Sequence, residues 1–232
     1  MQNIIGDFKI QHFKETNSTN DLAFELITNN QAFDHHIIIA DKQLSGKGRY
    51  DRKWLSFDGN LYFSTIIAIK DIGNIYNYSL LTACILGATL KRFSIQTQYK
   101  WPNDIILSHK KLAGILLQSQ TLNKTHYLVI GIGLNLEDSP DYATSLKEFK
   151  INKIDFLNEF TIIFDEYLEK YKNFGFLPIK NEWKNNAYKI GEKIKLSNNK
   201  GGIFKDVDNC GNLILESSTG KIEKILSEDV FI

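Results

Sequence analysis

The sequence predicts an α+β fold in which a mixed β-sheet is flanked by helices and a small β module follows at the C-terminus. Up to residue 188, short apolar runs of strand length alternate with segments of helical periodicity. After residue 188 only short apolar runs remain, and segments rich in Asn and Gly divide them. We therefore predict two domains, a main domain over residues 1–188 and a β domain over residues 189–232.

Four helices are predicted from the spacing of apolar residues. In the first, the polar segment NSTND precedes Leu22, Ala23, Leu26 and Ile27, which is the pattern of a capped amphipathic helix. A largely buried helix is predicted in SLLTACILGATLKRF, and two amphipathic helices are predicted towards the end of the main domain. These three helices cover residues 79–93, 155–174 and 177–187.

Strands are predicted where apolar and β-branched residues form short runs. In the main domain they cover residues 36–40, 61–69, 99–107, 112–118 and 127–134. In the C-terminal domain the segments NNKGG, DNCGN and STG mark tight turns between further short strands, because Asn and Gly readily adopt positive φ values. The pattern of the C-terminal domain is typical of a small all-β barrel.

The composition favours a protein of a reducing, cytoplasmic compartment. The 28 Lys and Arg residues nearly balance the 27 Asp and Glu residues, which argues against a long-range field that gathers nucleic acid. The two cysteines, Cys84 and Cys210, have neither a metal-binding spacing nor a disulfide pattern. The sequence opens without a signal-peptide pattern, and no apolar run approaches the roughly 18 residues of a membrane span.

A segment rich in glycine and cations, DKQLSGKGRYDRKW at residues 41–54, is the first candidate for chemistry. It combines Gly46 and Gly48 with Lys47, Arg49 and Arg52. Glycines let backbone N–H groups approach an anion, and the cations balance phosphate or carboxylate charge. The segment matches neither a Walker loop nor a Rossmann fingerprint, and its composition fits a flexible basic surface loop equally well.

Four other segments carry polar residues at the ends of predicted elements: TNSTND (16–21), KWPND (100–104), KKLAGILLQ (110–118) and GIGLN (131–135). A strand glycine such as Gly114 often marks close approach by a ligand. The amide of Asn135 can both donate and accept, as recognition of an adenine edge requires. Each segment also has an ordinary structural interpretation: a helix cap, a rigid turn, a solvated lysine and a strand-ending turn.

Taken together and in this order, the five segments resemble biotin protein ligases. The resemblance covers residues 15–146, and the C-terminal module is similar to the SH3-like domain of that family. It implies the fold shared by biotin and lipoate ligases, which is like that of class II aminoacyl-tRNA synthetases. Few residues precede TNSTND, so we expect the ligase-only form, without the DNA-binding domain of repressor-type members and without a DNA partner.

The resemblance implies an enzyme with a two-step reaction. Biotin and MgATP give biotinyl-5′-AMP and pyrophosphate, and the ε-amine of a lysine on a biotin carboxyl carrier domain then takes the biotin and releases AMP. The implied cofactors are ATP and Mg²⁺, with Mg²⁺ held through ATP rather than by direct protein ligands. The implied partner is the carrier domain of a biotin-dependent carboxylase. Family members include monomers and dimers, so a homodimer stays open.

The resemblance also assigns roles to residues of this sequence. The implied biotin-binding residues are Ser18, Thr19, Asn20, Gln43, Gly46, Lys47, Gly48, Arg49, Lys111 and Gly114. The implied ATP- and adenylate-binding residues are Arg49, Arg52, Trp54, Asn103, Lys111, Gly131 and Asn135. The implied catalytic residues are Arg49 and Lys111, which hold carboxylate and phosphate together, and Asp104, which orients or deprotonates the incoming lysine.

Three positions depart from the family pattern. The family loop usually reads GRGRxGRxW, and here it reads GKGRYDRKW. Lys47 keeps the charge of an arginine but loses its bidentate geometry, and Asp51 adds a side chain and a negative charge where glycine is usual. Gln118 stands where a glutamate is common.

Two other functions stay open at this point. A lipoate or octanoate ligase or transferase shares the fold, although the TNSTND segment and Gln43 suit a ureido head better than a bare acyl tail. The other alternative is a non-catalytic nucleotide- or protein-binding module that uses the C-terminal β domain for its contacts.

Overall fold

The computed structural model describes residues 2–73, 75–198, 200–226 and 228–231. The chain divides into two compact units. The first contains Met1–Gly73 and His109–Ile162, and the second contains Asn74–Ser108 and Ile163–Ile232. The division at residue 188 followed from a change in sequence pattern, and it stays a prediction.

Helices and strands are interspersed up to α4, and among the described residues after α4 the regular elements are strands. The helices are α1 (Thr19–Thr28), α2 (Ile75–Arg92), α3 (Lys153–Phe174) and α4 (Leu177–Asn185). The strands before α3 are β1 (Gln2–Ile5), β2 (Phe8–Thr16), β3 (His36–Gln43), β4 (Leu61–Ile69), β5 (Gln98–Lys100), β6 (Asp104–Leu107), β7 (Lys110–Leu122) and β8 (Thr125–Leu134). The strands after α4 are β9 (Lys193–Leu196), β10 (Gly201–Val207), β11 (Leu213–Glu216), β12 (Ile222–Ile225) and β13 (Val230–Phe231).

In the first unit six strands pair in the order β1-β2-β3-β4-β8-β7. β2 and β3 run parallel because α1 lies between them in the chain and returns it to the same end of the sheet, and the other pairs are antiparallel. The β7–β8 hairpin closes through Asn123 and Lys124, whose φ values of 50° and 67° are typical of a type I′ turn. This hairpin brings the KKLAGILLQ and GIGLN segments side by side.

The two faces of this sheet are covered by different helices. α1 packs on one face in a buried cluster of Ala23, Ile27, Ile38, Ile66 and Val129. On the other face, Phe63 of β4 meets Phe160 of α3 edge to face, with the ring centroids 5.0 Å apart. Because neighbouring side chains of a strand point to opposite faces, Ser64 points to the α1 face, where a polar residue is unexpected in the core. Contacts with residues at the start of α1 explain this buried hydroxyl.

The second unit contains α2, α4, the β5–β6 pair and the C-terminal strands. β9 to β13 form an antiparallel sheet in the order β12-β11-β10-β9-β13. Trp183 of α4 is almost completely buried and packs against Phe204 of β10, with ring centroids 6.3 Å apart. Trp101 of KWPND donates from Nε1 to the carbonyl oxygen of Gly211 at 2.9 Å, so the turn between β10 and β11 contacts that segment.

The predicted α+β class, the four helices and the C-terminal β module are confirmed. The strand predicted over residues 99–107 is wrong in its middle, because β5 ends at Lys100 and β6 begins at Asp104. Pro102 lies in this gap and lacks the N–H that a strand ladder needs. The hairpin of β1 and β2 was not predicted. Within the described ranges, no helix is both long and apolar enough to cross a membrane.

Candidate functional site

The start of α1 and the end of β3 form the first part of the site. Ser18 caps α1, and its side chain accepts a hydrogen bond from the backbone N–H of Asp21 at 3.4 Å. The backbone N–H of Thr19 donates to Oε1 of Gln43 at 2.8 Å. Because a backbone N–H can only donate, this bond fixes the orientation of the Gln43 amide. Its carbonyl oxygen faces Thr19, and its Nε2 is left as a donor towards Gly46.

Beyond Thr19, a row of buried polar side chains lies on the α1 face of the sheet. Oγ of Ser64 lies 2.7 Å from Oγ1 of Thr19 and 2.6 Å from Oδ1 of Asn20. Nδ2 of Asn20 lies 2.7 Å from Oε1 of Gln118. A Cβ on Gly131 would lie 2.3 Å from Oδ1 of Asn20, so the glycine at this position leaves the space that the Asn20 amide fills.

The cationic glycine loop is a short β-hairpin. The backbone N–H of Trp54 donates to the carbonyl oxygen of Gly46 at 2.9 Å, and that of Gly48 donates to Arg52 at 2.7 Å. Tyr50 and Asp51 form its two-residue tip, with φ values of 54° and 56°. Two consecutive residues in the left-handed region make a type I′ turn, for which glycine or asparagine is usual.

The cations of the loop have partners within the first unit. Nζ of Lys47 lies 2.6 Å from Oδ1 of Asp21, which ties the loop to the start of α1. Nη2 of Arg49 donates to the Tyr50 hydroxyl at 3.1 Å, and its guanidinium lies 4.9 Å from the Tyr50 ring centroid. The guanidinium of Arg52 lies 5.8 Å from the same ring. Both arginines therefore contact Tyr50 at the tip of the loop.

Gly114 of β7 and Gly133 of β8 are paired in register, and we call these two residues the glycine floor. The indole of Trp54 lies directly on it. A Cβ on Gly133 would lie 2.4 Å from Cε2 of Trp54, and one on Gly114 would lie 2.8 Å from Cζ3. Nζ of Lys111 lies 5.2 Å from the ring centroid of Trp54. The loop and the lysine at the start of β7 therefore meet at one place, through Trp54.

The segment that follows β8 lies beside Lys111. The backbone N–H of Thr144 donates to the carbonyl oxygen of Lys111 at 2.9 Å. Nδ2 of Asn135 donates to the carbonyl oxygen of Thr144 at 3.0 Å. One amide hydrogen of Asn135 is thus used to hold this segment beside Lys111, which leaves the other hydrogen for a ligand.

The predicted site residues divide between the two units. All of them except Asn103 and Asp104 lie in the first unit, where they gather at the start of α1, along the loop and around the glycine floor. Asn103 and Asp104 lie at the start of β6 in the second unit, and their roles stay predictions. Sequence reasoning gave no role to Asp21 or Ser64. No sequence signal set Ser64 apart, because Tyr62 and Thr65 of the same strand also carry hydroxyls and are equally buried.

The similarity of this chain to known proteins agrees with this geometry. The chain matches the model of the biotin/lipoate A/B protein ligase family over residues 12–135. It is 33% identical to the bifunctional ligase/repressor BirA of Bacillus subtilis (strain 168), over 98% of this chain and 74% of that protein. It is 28% identical to the biotin–[acetyl-CoA-carboxylase] ligase of Paracoccus denitrificans, over 84% of this chain and 89% of that protein.

The fold of this chain is also similar to that of a solved structure. The chain is similar to the biotin protein ligase from Aquifex aeolicus in complex with biotin and ATP, with a TM-score of 0.83 and 27% identity. The similarity covers 96% of this chain and 97% of that one.

Proposed function

This chain belongs to the biotin/lipoate A/B protein ligase family, and on that premise we propose that it is an ATP-dependent biotin protein ligase. It joins biotin to ATP as biotinyl-5′-AMP with release of pyrophosphate, and it then transfers biotin to a lysine ε-amine with release of AMP. The ligase names of the B. subtilis and P. denitrificans relatives support this activity. The A. aeolicus ligase, whose structure holds biotin and ATP, supports these two substrates.

The observation that carries the proposal is the meeting of Lys111 and the cationic loop at Trp54. In the first step an oxygen of the biotin carboxylate attacks the α-phosphate of ATP, and the bond to pyrophosphate breaks. Both reactants are anions, so cations that face both of them lower the barrier by positioning and by charge stabilisation. We assign this role to Lys111, and to Arg49 once its guanidinium leaves Tyr50 for the phosphate.

The polar residues at the start of α1 suit the ureido head of biotin. That head has one carbonyl oxygen and two N–H groups. Nε2 of Gln43 is left as a donor for the carbonyl oxygen, and the hydroxyls of Ser18 and Thr19 offer acceptors for N–H groups. The acyl tail of lipoate or octanoate has no such groups, and it would bury the Gln43 donor without a partner at a cost of about 1–3 kcal/mol. This favours biotin over the lipoate alternative.

The nucleotide is assigned to the part of the site around Trp54. Trp54 offers an aromatic face to adenine, and Asn135 offers its carbonyl oxygen and its second amide hydrogen to the adenine edge. We propose that Mg²⁺ enters with the ATP phosphates, whose charge it balances.

The second step is proposed for a carrier-domain lysine. Its amine attacks the carbonyl carbon of the mixed anhydride and AMP leaves, while Asp104 takes or orients the proton of the amine. The partner is the biotin carboxyl carrier domain of a carboxylase, in line with the name of the P. denitrificans relative.

Mass spectrometry of biotinyl-AMP tests the proposal. The protein is mixed with MgATP and, in separate arms, with biotin, lipoate or octanoate. We expect an adenylate in the biotin arm and pyrophosphate release to match it. Turnover with lipoate alone would assign the chain to the lipoate branch of the family. Micromolar biotin binding without any adenylate would indicate a sensor rather than a ligase.

A further inference from the structure

The two arms of the cationic loop bring two lysines opposite each other. Lys47 and Lys53 are antiparallel partners in the hairpin, and the backbone hydrogen bonds donated by Gly48 and Trp54 flank this pair. Bonds placed in this way define a non-hydrogen-bonded pair, the kind in which facing side chains come closest together. Two like charges therefore face each other between the two bonds that close the hairpin.

A carboxylate of α1 offsets this repulsion. Like charges directly opposite each other destabilise a pair of strands, and here the repulsion acts on the bonds donated by Gly48 and Trp54. Oδ1 of Asp21 lies 2.6 Å from Nζ of Lys47 and balances its charge. The backbone N–H of Asp21 donates to the hydroxyl of Ser18, so the carboxylate belongs to the capped first turn of α1 and not to the loop.

We propose that Asp21 is a positioning residue that keeps the cationic loop in its hairpin conformation by balancing the charge of Lys47. This inference rests on the proposed function, because the hairpin carries Arg49 and Trp54, which are assigned to phosphate and adenine. The side chains of Lys47 and Asp21 are 47% and 41% exposed, so water and salt screen their attraction. One such pair changes an equilibrium a few-fold, and here that equilibrium is the closure of the hairpin.

Hydrogen exchange at the amides of Gly48 and Trp54 measures how often the hairpin opens. Asp21→Asn keeps the shape of the side chain and removes its charge. We expect it to speed exchange at both amides about three- to fivefold, the upper part of the range for an exposed ion pair. The matched control is Glu15→Gln, which removes the carboxylate of another exposed ion pair of the same unit, formed with Lys42 at 3.8 Å. It should leave exchange at both amides unchanged.

A second substitution separates charge balance from a general weakening of α1. In the double variant Asp21→Asn with Lys53→Gln, the repulsion across the hairpin is removed while the contact with α1 stays broken. We expect exchange at Gly48 and Trp54 to return to within about 1.5-fold of wild type. In about 1 M NaCl, where the screening length is about 3 Å, wild type and Asp21→Asn should differ less than about twofold.

The positioning role also has a kinetic readout. We expect kcat/KM for biotin in adenylate formation to fall about twofold or more in Asp21→Asn, because the closed fraction of the protein is the one that binds productively. It should recover in the double variant with Lys53→Gln. Faster exchange with an unchanged kcat/KM would show that Asp21 closes the hairpin without serving the reaction, and it would overturn the positioning role.

The exchange measurement separates the inference from the proposed function, since it needs no activity. The inference is wrong if Asp21→Asn exchanges at the wild-type rate, or if the double variant exchanges as fast as Asp21→Asn alone. In either case the ligase assignment stands, provided that wild type forms biotinyl-AMP. If wild type forms no adenylate from biotin, the proposed function fails and the role of Asp21 in catalysis fails with it, while exchange at Gly48 and Trp54 still decides whether Asp21 closes the hairpin.

Discussion

At the scale of single residues, the glycines of the site make room for the protein's own side chains. In GIGLN, Gly133 lies against the indole of Trp54. Gly131 likewise makes room for the amide of Asn20. The spacing of glycines in a sequence shows where atoms approach the backbone, but it does not show which atoms they are. That part required the structure.

Replacing Lys111 should lower the rate of the first step more than replacing any other single residue of the site. We expect Lys111→Ala to keep the fold, because the side chain is partly exposed, and to lower the rate of adenylate formation by about 10² or more, the scale of one charge-stabilising donor. The rate of pyrophosphate release with saturating biotin and MgATP measures the effect. The control is Lys110→Ala, whose ammonium bonds to the carbonyl oxygen of Asp141. Wild-type rates in Lys111→Ala would rule out the assigned role.

At the scale of elements, most of the fold could be predicted because amphipathic periodicity and turn residues agree with the final packing. Ser18 caps α1 as NSTND suggested, and α3 follows its apolar spacing closely. The loop was harder to predict. Its composition indicated flexibility, whereas the structure shows a hairpin closed by the backbone of Gly46 and Trp54. The ion pair of Lys47 with Asp21 joins two motifs that lie far apart in sequence, so spacing alone could not reveal it.

Asp51 is expected to weaken the tip of this hairpin. Its φ of 56° lies in the left-handed region, which costs an L-residue about 1–2 kcal/mol, and less for aspartate than for most. Asp51→Gly should therefore favour the closed hairpin and slow hydrogen exchange at the amides of Gly48 and Trp54. Asp51→Ala removes the same charge but keeps a Cβ, so it should not slow exchange. Equal protection in both variants would show that the charge, rather than the backbone, limits closure.

The turn between β10 and β11 should make the C-terminal strands sensitive to acid. Partial burial raises the pKa of Asp208, but hydrogen bonds from Lys224 and Asn212 outweigh it and lower the pKa from 3.8 to about 2. A carboxyl with a depressed pKa stabilises the fold fully above about pH 4, and this contribution disappears as the pH falls towards 2. Urea unfolding should show the free energy of unfolding fall over that range.

The substitution Asp208→Asn removes the titrating group from this turn. We expect the variant to be less stable than wild type at neutral pH and to have a flatter profile between about pH 4 and pH 2. Asp7→Asn, on the exposed turn between β1 and β2, should follow the wild-type profile. A wild-type slope in Asp208→Asn would assign the acid sensitivity to other carboxyls.

At the scale of the whole molecule, ligand binding should raise the free energy of unfolding. A ligand that binds only the folded state at about 100 times its Kd adds ~2.7 kcal/mol to the free energy of unfolding. For a chain of this size that corresponds to a Tm increase of about 5–10 °C. We expect this shift with biotin, a larger one with biotin and MgATP together, and a smaller one with lipoate at the same concentration. An equal shift with lipoate and biotin would contradict the head-group assignment.

The position of Trp54 has a consequence for affinity. An aromatic ring covers Gly133, and a ligand atom cannot contact that glycine until the ring has moved. The measured Kd for such a ligand therefore contains the equilibrium of the ring as well as the strength of the contact, and it is weaker than the intrinsic value by the fraction of molecules in which the floor is uncovered. Part of the binding free energy of such a ligand is therefore used to move the indole.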